Sequence, residues 1–492
     1  MSLLRRFAPW ALGCALFLCP ALPAQQDGAA ERLFVDAQRQ EREGKLEEAR
    51  QAYELLVERY PDTLQAESAL LLLSDAYWQG GEEDRARELL DKLTQDYPDS
   101  PNAASAWVKQ GQFQIETAAN PEELEAARTP LRRVPVLFGP VEYPTLEARV
   151  EARVRSGEAL LLLGQSDLAA LAFLEAIEDE SPSSWLPRAL YGFAHSLFRG
   201  GDWAPAAESL QEVLNQEATE EGLRQNASTD LGFIHRHWLR PALGQDRWAR
   251  ARAISVSGLT LKRPLHIDAS RDGRILIHDG GLGEVLLVSS DGELLERAAQ
   301  PRAKDVAWSY DGIGFVTTES GAVSIGASER QSFTGSAALQ GIVSAQRGAF
   351  NEWYVLDKKV LWGFDRHQAS RTLSAAGGDI VDITAGDASE VLLLDRKKEE
   401  VTVLGAGGET VRRISSTGRR PTALAVDVGG NVYILDQAQK TVEVRDRAGN
   451  KIASIGPNVG GIELRDPEDI SVDGQGRLYI VDSRLAQVIV LE

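Results

Sequence analysis

The sequence predicts an α-helical solenoid followed by an all-β propeller of six blades, and three observations carry that reading. Short motifs recur at intervals of 37 residues in the first half. Apolar runs ending in an acidic residue recur six times in the second. Between them, near residue 252, the apolar period changes from helical to alternating. A chain of 492 residues is also too long for one hydrophobic core, so more than one domain is expected.

The first 24 residues stand apart. Arg5 and Arg6 form a basic head, Phe7 to Leu18 is nearly all apolar, and Pro20-Ala21-Leu22-Pro23-Ala24 ends in a small residue suited to cleavage. This is the pattern of a secretory signal peptide. Its apolar run falls short of the ~20 residues a spanning helix needs, and no other uncharged stretch is as long, so no transmembrane span is expected. Both cysteines, Cys14 and Cys19, lie in this leader, which leaves the mature chain without a thiol. A lipid anchor would use Cys14, but Ala11-Leu12-Gly13 is a poor lead-in and Ala15 to Leu18 would remain as an apolar mature end. Export without an anchor is the expectation.

The formal charge is −20, with about −17 on residues 25–250, about −5 on residues 251–492, and +2 from Arg5 and Arg6 in the leader. Such an acidic excess repels a phosphate backbone and argues against a nucleic-acid partner. The simpler role of this acidity is to keep an exported protein soluble.

In the helical half, Gly44-Lys45-Leu46-Glu47-Glu48-Ala49 recurs as Gly81-Glu82-Glu83-Asp84-Arg85-Ala86, and Tyr60-Pro61-Asp62 as Tyr97-Pro98-Asp99. Gly164 to Ala169 recurs as Gly201 to Ala206 at the same offset. Glycine ends one helix, polar residues start the next, and proline closes it because it cannot donate the next hydrogen bond. Twelve residues before each alanine stands another small residue, Ala37, Ser74, Gly157 or Ala194, where the facing helix approaches closely. Tyr53, Leu90, Phe173 and Leu210 follow the alanines by four. This pattern resembles the tetratricopeptide repeat. Four clear units are read, with a unit at about 101–141 that has lost the signature and a closing helix near 219–240. The solenoid is thus placed at 25–240 and a linker at 241–252.

Such a stack exposes a concave face lined by the first helix of each hairpin. The resemblance places Phe34, Asp75, Trp78, Glu158, Tyr191, His195 and Phe198 on it, a mixture suited to an extended peptide or a partner helix. Packing between neighbouring repeats is the alternative role for each.

From residue 253 to 492 the chain reads as short strands. The run Arg271 to Asp279 aligns with Val428 to Asp436 and with Gly474 to Asp482, and three weaker copies end at Glu319, Asp357 and Asp395. The intervals of 40, 38, 38, 41 and 46 are the length of a four-stranded propeller blade. A turn, an apolar strand ending in Asp, and a second strand such as Thr441-Val442-Glu443-Val444 resemble NHL repeats. Pro421 to Asp427 and Pro467 to Asp473 match best. Val488 to Leu491 would be the third strand of the last blade, and Ala253 to Val256 the donated fourth, sealing the ring. The recurring acids are expected to cap turns through backbone amides.

The inventory leans against catalysis. The propeller holds only His266, His278 and His367, without cysteine, and His235 and His237 stand two apart on a helix, facing different sides. No phosphate loop, nucleophile elbow or dinucleotide fingerprint occurs. No cofactor and no metal are expected; a carboxylate site for Ca²⁺ at Asp466, Glu468, Asp469 and Asp473 is the open alternative, against solvated loop acids. Turns after the terminal acids are basic in blades three to six, at Lys358, Lys359, Arg396, Lys397, Lys398, Lys440 and Arg484. Equivalent turns share one face of a propeller, so this face would suit an acidic surface or an anionic envelope polymer, although solvated hairpin tips would look the same.

The early Tyr-Pro-Asp hairpins resemble periplasmic repeat proteins of outer-membrane assembly and the Tol-Pal system. That resemblance covers about 80 residues and identifies no particular machine; with the two repeat arrays and the missing catalytic motifs, the expectation is a periplasmic, non-catalytic scaffold whose solenoid groove and propeller face each hold a protein partner. The alternatives are a propeller enzyme, lyase-like or lactonase-like, recruited by the repeats, and a sensor in which the propeller binds a small ligand.

Overall fold

The structure is a computed structural model that describes residues 22–492 apart from 249, 310–311, 327–331, 335–338, 340, 349–351, 359, 365–369, 375–377, 387–389, 406 and 417. The expected signal peptide lies outside the described residues except for Leu22–Ala24, which open the first helix. Lys359 and His367 also lie outside them. The chain divides into two compact units, up to Trp107 and from Val108 onward.

The first unit contains two helical hairpins, α1 (Leu22–Arg42) with α2 (Leu46–Arg59) and α3 (Leu64–Gln79) with α4 (Glu83–Asp96). Gly44 and Gly81 turn the chain at φ 76° and 79°, a left-handed conformation that glycine adopts without a Cβ penalty. Ala37, Ala49, Ser74 and Ala86 are buried where the paired helices touch. The Tyr-Pro-Asp recurrence has a structural cause: the Tyr97 hydroxyl donates to the Pro61 carbonyl at 2.6 Å, tying one hairpin end to the next.

The second unit continues with the end of α5 (Pro101–Thr117), then α6 (Pro121–Leu137), α7 (Glu147–Leu162), α8 (Ser166–Ile177), α9 (Leu186–Gly200), α10 (Trp203–Asn215) and α11 (Glu221–Ile234). The unit that had lost its signature is a regular hairpin. A Cβ on Gly111 would lie 2.5 Å from Leu131 Cγ and 3.2 Å from the Ala127 carbonyl, so Gly111 and Ala127 make the close approach. They stand sixteen residues apart instead of twelve because the turn is longer. Asn120 ends that turn by accepting the Glu123 amide at 2.9 Å, with Pro121 at the first helical position.

Farther along, the Phe173 ring fills a slot between two glycines. A Cβ would meet it at 2.8 Å on Gly157 and at 2.3 Å on Gly192. Alanine at position 192 is therefore expected to destabilise the helices by about 1–3 kcal/mol through overpacking, outweighing a helix-propensity gain of about 1 kcal/mol. A lower thermal midpoint for Gly192→Ala, partly restored by adding Phe173→Leu, checks this.

The β region forms six four-stranded antiparallel sheets. The second strands Ile275–Asp279, Trp353–Asp357, Val391–Asp395, Val432–Asp436 and Leu478–Asp482 are buried at every position, because each blade packs a neighbour on both faces. The ring closes as a shared sheet: Ala251–Ile254 pairs antiparallel with the last strand, Ala251 opposite Leu491 and Ile254 opposite Val488. The donated strand thus starts two residues before the expected Ala253. A small hairpin, Asn458–Val459 with Ile462–Glu463, is inserted between blades five and six and accounts for the long last interval.

The recurring acids cap turns. Asp482 accepts amides of Arg465, Asp466, Arg484 and Leu485 at 2.6–3.1 Å, and Asp279 repeats the pattern with Lys262, Arg263, Gly281 and Leu282. Blade two corrects the sequence alignment. Its second strand ends at Thr318, whose hydroxyl accepts the Ser320 amide at 3.4 Å, while Glu319 is exposed and pairs with Lys304 at 2.9 Å.

Within this unit the helices are fastened to the propeller. After α11 a π turn, His235–Leu239, directs Arg236 Nε to the Gln475 carbonyl at 2.9 Å. The Trp248 indole donates to the Gly476 carbonyl at 3.0 Å and packs on the core of blades five and six, so the stretch before the first strand is anchored.

Candidate functional site

Helices α7, α9 and α11 line a cleft of about 480 Å³ that also receives Arg271 from the first blade. Tyr191 and His195, one turn apart on α9, stack at 5.9 Å along its wall. Arg271 donates to the Tyr191 hydroxyl at 2.7 Å and to the buried Asp230 carboxylate at 2.6 Å, and Tyr191 donates to Asp230 at 2.9 Å. Across the cleft Arg188 pairs with Glu158 at 2.5 Å. Aromatic faces beside paired charges can hold an extended chain through its side chains and its carbonyl or amide groups.

Of the seven residues expected on the concave face, Glu158, Tyr191 and His195 meet in this cleft. Phe198 does not: it is 3% exposed and packs edge-on against Trp203 and Phe233 at 5.1 and 5.3 Å, so α11 covers it and it belongs to the core. Phe34, Asp75 and Trp78 are half-buried in the first unit. Phe34 leans on Tyr53 at 5.8 Å, and the Arg87 guanidinium lies 5.7 Å from the Trp78 ring.

The basic turns follow the second strand of their blades. Lys358 and Lys440 adopt left-handed turn conformations, both at φ 57°. Lys358, Lys397, Lys398 and Arg484 are exposed. Arg396 is held by Asp379 at 2.6 Å and Lys398 approaches Asp395 at 3.4 Å, which lowers the free charge of this face.

At the propeller axis the innermost strands converge. A register shift just inside five of these strands re-aims the next residue. The equivalent positions are His266, Ser344, Asp382, Ala423 and Asp469, with Asp305 in blade two. Asp268 joins them two residues beyond His266. The carboxylates stitch neighbouring strands. Asp469 accepts its own Ile470 amide at 2.8 Å and the Ile267 amide of blade one at 2.9 Å. Asp382 accepts the Ile383 and Leu424 amides at 2.8 and 2.7 Å, and Asp268 accepts the Trp308 amide at 2.7 Å. Asp305 accepts its Val306 amide at 2.8 Å and the Ser344 hydroxyl.

These four acids line a cavity of about 160 Å³. Burial pushes all four carboxyls up, Asp268 to about 6, and neighbouring carboxylates add to the rise at Asp305, Asp382 and Asp469. His266 Nδ1 stands 3.9 Å from Asp305 and 4.0 Å from Asp469, and its ring stacks on His278 at 5.4 Å with 3° between planes. Burial keeps His266 neutral by lowering its pKa to about 4.

The four acids grouped from sequence as a Ca²⁺ alternative do not meet. Asp469 faces the axis, Asp466 and Glu468 bond Gln437 at 3.3 and 3.0 Å, and Asp473 caps the turn at Gln475 and Arg477. The axial set comes from four blades and was missed. Its signal was the third residue of the inner strand in five blades, His266, Ser344, Asp382, Ala423 and Asp469, with Asp305 opening the inner strand of blade two.

Residues 26–147 match the family model YfiO, described as an outer membrane lipoprotein. No curated protein sequence matches the chain. Among solved structures it is similar to a streptogramin B lyase at 9% identity and a TM-score of 0.40, over 49% of this chain and 97% of that one. Virginiamycin B lyase from Staphylococcus aureus gives 10% identity and 0.36 over 47% and 82%. The WD40 propeller domain of Doa1 gives 10% and 0.37 over 46% and 78%. The protein is thus a helical-repeat and propeller chain. Its N-terminal region is YfiO-like and of tetratricopeptide type, and a six-bladed β-propeller follows it.

Proposed function

We propose that the protein is an exported, non-catalytic scaffold of the cell envelope. The repeats hold one protein partner as an extended peptide or helix, and the basic propeller face holds a second partner or an anionic envelope polymer. The YfiO-like region supports an envelope protein-interaction role. No helix among the described residues is long and apolar enough to cross a membrane, and a periplasmic location is proposed. The cleft at Glu158, Tyr191 and His195 carries the reading, because it joins aromatic faces to paired charges on the concave helices.

The test is capture from native envelopes with the mature chain, comparing wild type with a Tyr191→Ala, His195→Ala double variant and with Lys358→Glu, Lys397→Glu, Lys440→Glu, Arg484→Glu. Each set is expected to lose a different partner, with the second loss also dependent on salt. Identical partners for all three proteins, or turnover of a substrate by the pure protein, would overturn the scaffold. The convergent axial carboxylates favour a second reading, in which the propeller holds a small ligand and the repeats report it.

A further inference from the structure

The axial acids have a structural role in stitching strands, but that role leaves His266 unexplained. Among the described residues its ring takes part in no hydrogen bond, and its two nearest carboxylates stand at 3.9 and 4.0 Å, beyond hydrogen-bond reach. Behind it His278 is 3% exposed with neither ring nitrogen hydrogen-bonded, in a stack parallel to His266. The buried, unpaired imidazole of His278 is costly unless something supplies a partner, and His266, its side chain 33% exposed, stands against the cluster of buried acids with no hydrogen-bond partner among the described residues. No Lys or Arg among the described residues pairs with Asp268, Asp305, Asp382 or Asp469, and the neutral ring of His266 stands 3.9 Å from Asp305 and 4.0 Å from Asp469 without offsetting their charge.

One nitrogen and two oxygens from His266, Asp305 and Asp469 all lie within 4.8 Å of one another. Atoms that share an ion at about 2.0–2.2 Å stand up to about 4.4 Å apart, so small side-chain rotations close this triangle on one centre. We propose that the propeller axis is a divalent-cation site, with His266 Nδ1 and one carboxylate oxygen each of Asp305 and Asp469 as ligands. Asp268 and Asp382 surround it with further negative charge and no ligand role. A nitrogen among few oxygens selects a first-row ion of the Mn²⁺ to Zn²⁺ class over Ca²⁺, which prefers six to eight oxygens. The inference is independent of the scaffold reading, since a site at the axis serves structure or ligand equally.

The probe is Zn²⁺ or Mn²⁺ added to the full mature chain after stripping with chelator, read by calorimetry and by Mn²⁺ paramagnetic resonance. One ion per chain is expected. His266→Gln is the decisive variant because the ring makes no hydrogen bond that the fold would lose. It should weaken binding at least tenfold with an unchanged circular dichroism spectrum and metal-free thermal midpoint, and Asp469→Asn should do the same to binding. Asp382→Asn should weaken it by less than threefold. Absence of saturable binding, affinity unchanged by His266→Gln, or a preference for Ca²⁺ over Zn²⁺ would each overturn the proposal.

Discussion

Replacing Arg149 with methionine is expected to remove about 3–5 kcal/mol of stability from the helices around the cleft, the range for breaking a buried ion pair from one side. Arg149 is 1% exposed on α7 and grips Asp179 with two bonds of 2.6 and 2.9 Å. It also donates to the Phe138 and Tyr143 carbonyls at 3.1 and 2.8 Å and to Ser181 at 2.7 Å. One guanidinium therefore fixes the loops after α6 and α8, a task for a planar fork that lysine cannot perform. Burial alone would push the Asp179 carboxyl up, yet hydrogen bonds from Arg149, Ser181 and Arg153 hold it well below the usual range. Methionine would leave that carboxylate with Arg153 and remove the donor from the buried Phe138 carbonyl and the part-buried Tyr143 carbonyl. Chemical denaturation should show the loss, and Asp179→Asn in the same chain should recover part of it. A loss below about 1 kcal/mol would mean that the pair is screened like a surface one. Because Glu158 lies on the same helix, partner capture by the cleft should fall with it.

The same physics explains what could be read in advance. Blade strands were legible because burial on both faces forces continuous apolar runs such as Val391–Asp395, and in every blade but the second the strand closes on an acid, as Asp395 does when it accepts the turn amides of Lys397 and Lys398. The helical hairpins were legible where the turn kept its length, since Gly44 and Gly81 then fall at a fixed offset. Gly111 and Ala127 escaped because four extra residues displaced them while the contact itself survived. Glu319 occupies the aligned acidic position of blade two, but the strand ends one residue earlier, at Thr318, and strand register is what separates the two. Phe198 has the spacing of a groove residue, yet burial depends on Phe233, which sits on another helix. The axial set is the extreme case. Its members are spread from His266 to Asp469, and closure of the ring is what brings them together.

Acidification is expected to loosen the helix-to-propeller junction through His237. Its ring stacks on Phe233 at 4.3 Å, meets Trp248 edge-on at 5.5 Å, and would lie 2.3 Å from a Cβ on Gly476. Burial, with the Arg236 and Arg247 charges adding to it, lowers its pKa from 6.5 to about 3. The fold thus holds this imidazole neutral, and as pH falls the unfolded chain takes up the proton first. Its contribution is whole above pH 6.5 and is lost progressively as pH falls from 6.5 toward 3, amounting to about 2 kcal/mol at pH 5. The axial acids act in the opposite sense. Their raised values favour the fold below the ordinary carboxylate range, and that contribution fades as pH rises through the folded values, near 6 for Asp268. A single pH profile mixes the two, so the measurement is a difference. Between pH 7.5 and pH 5 the stability of His237→Phe should fall by about 2 kcal/mol less than that of the wild type, whatever constant offset the substitution adds. Parallel profiles would show that water reaches His237 and that the junction is open. A sloped difference would show a dry aromatic joint, and so a reason for the repeats and the blades beside it to move together.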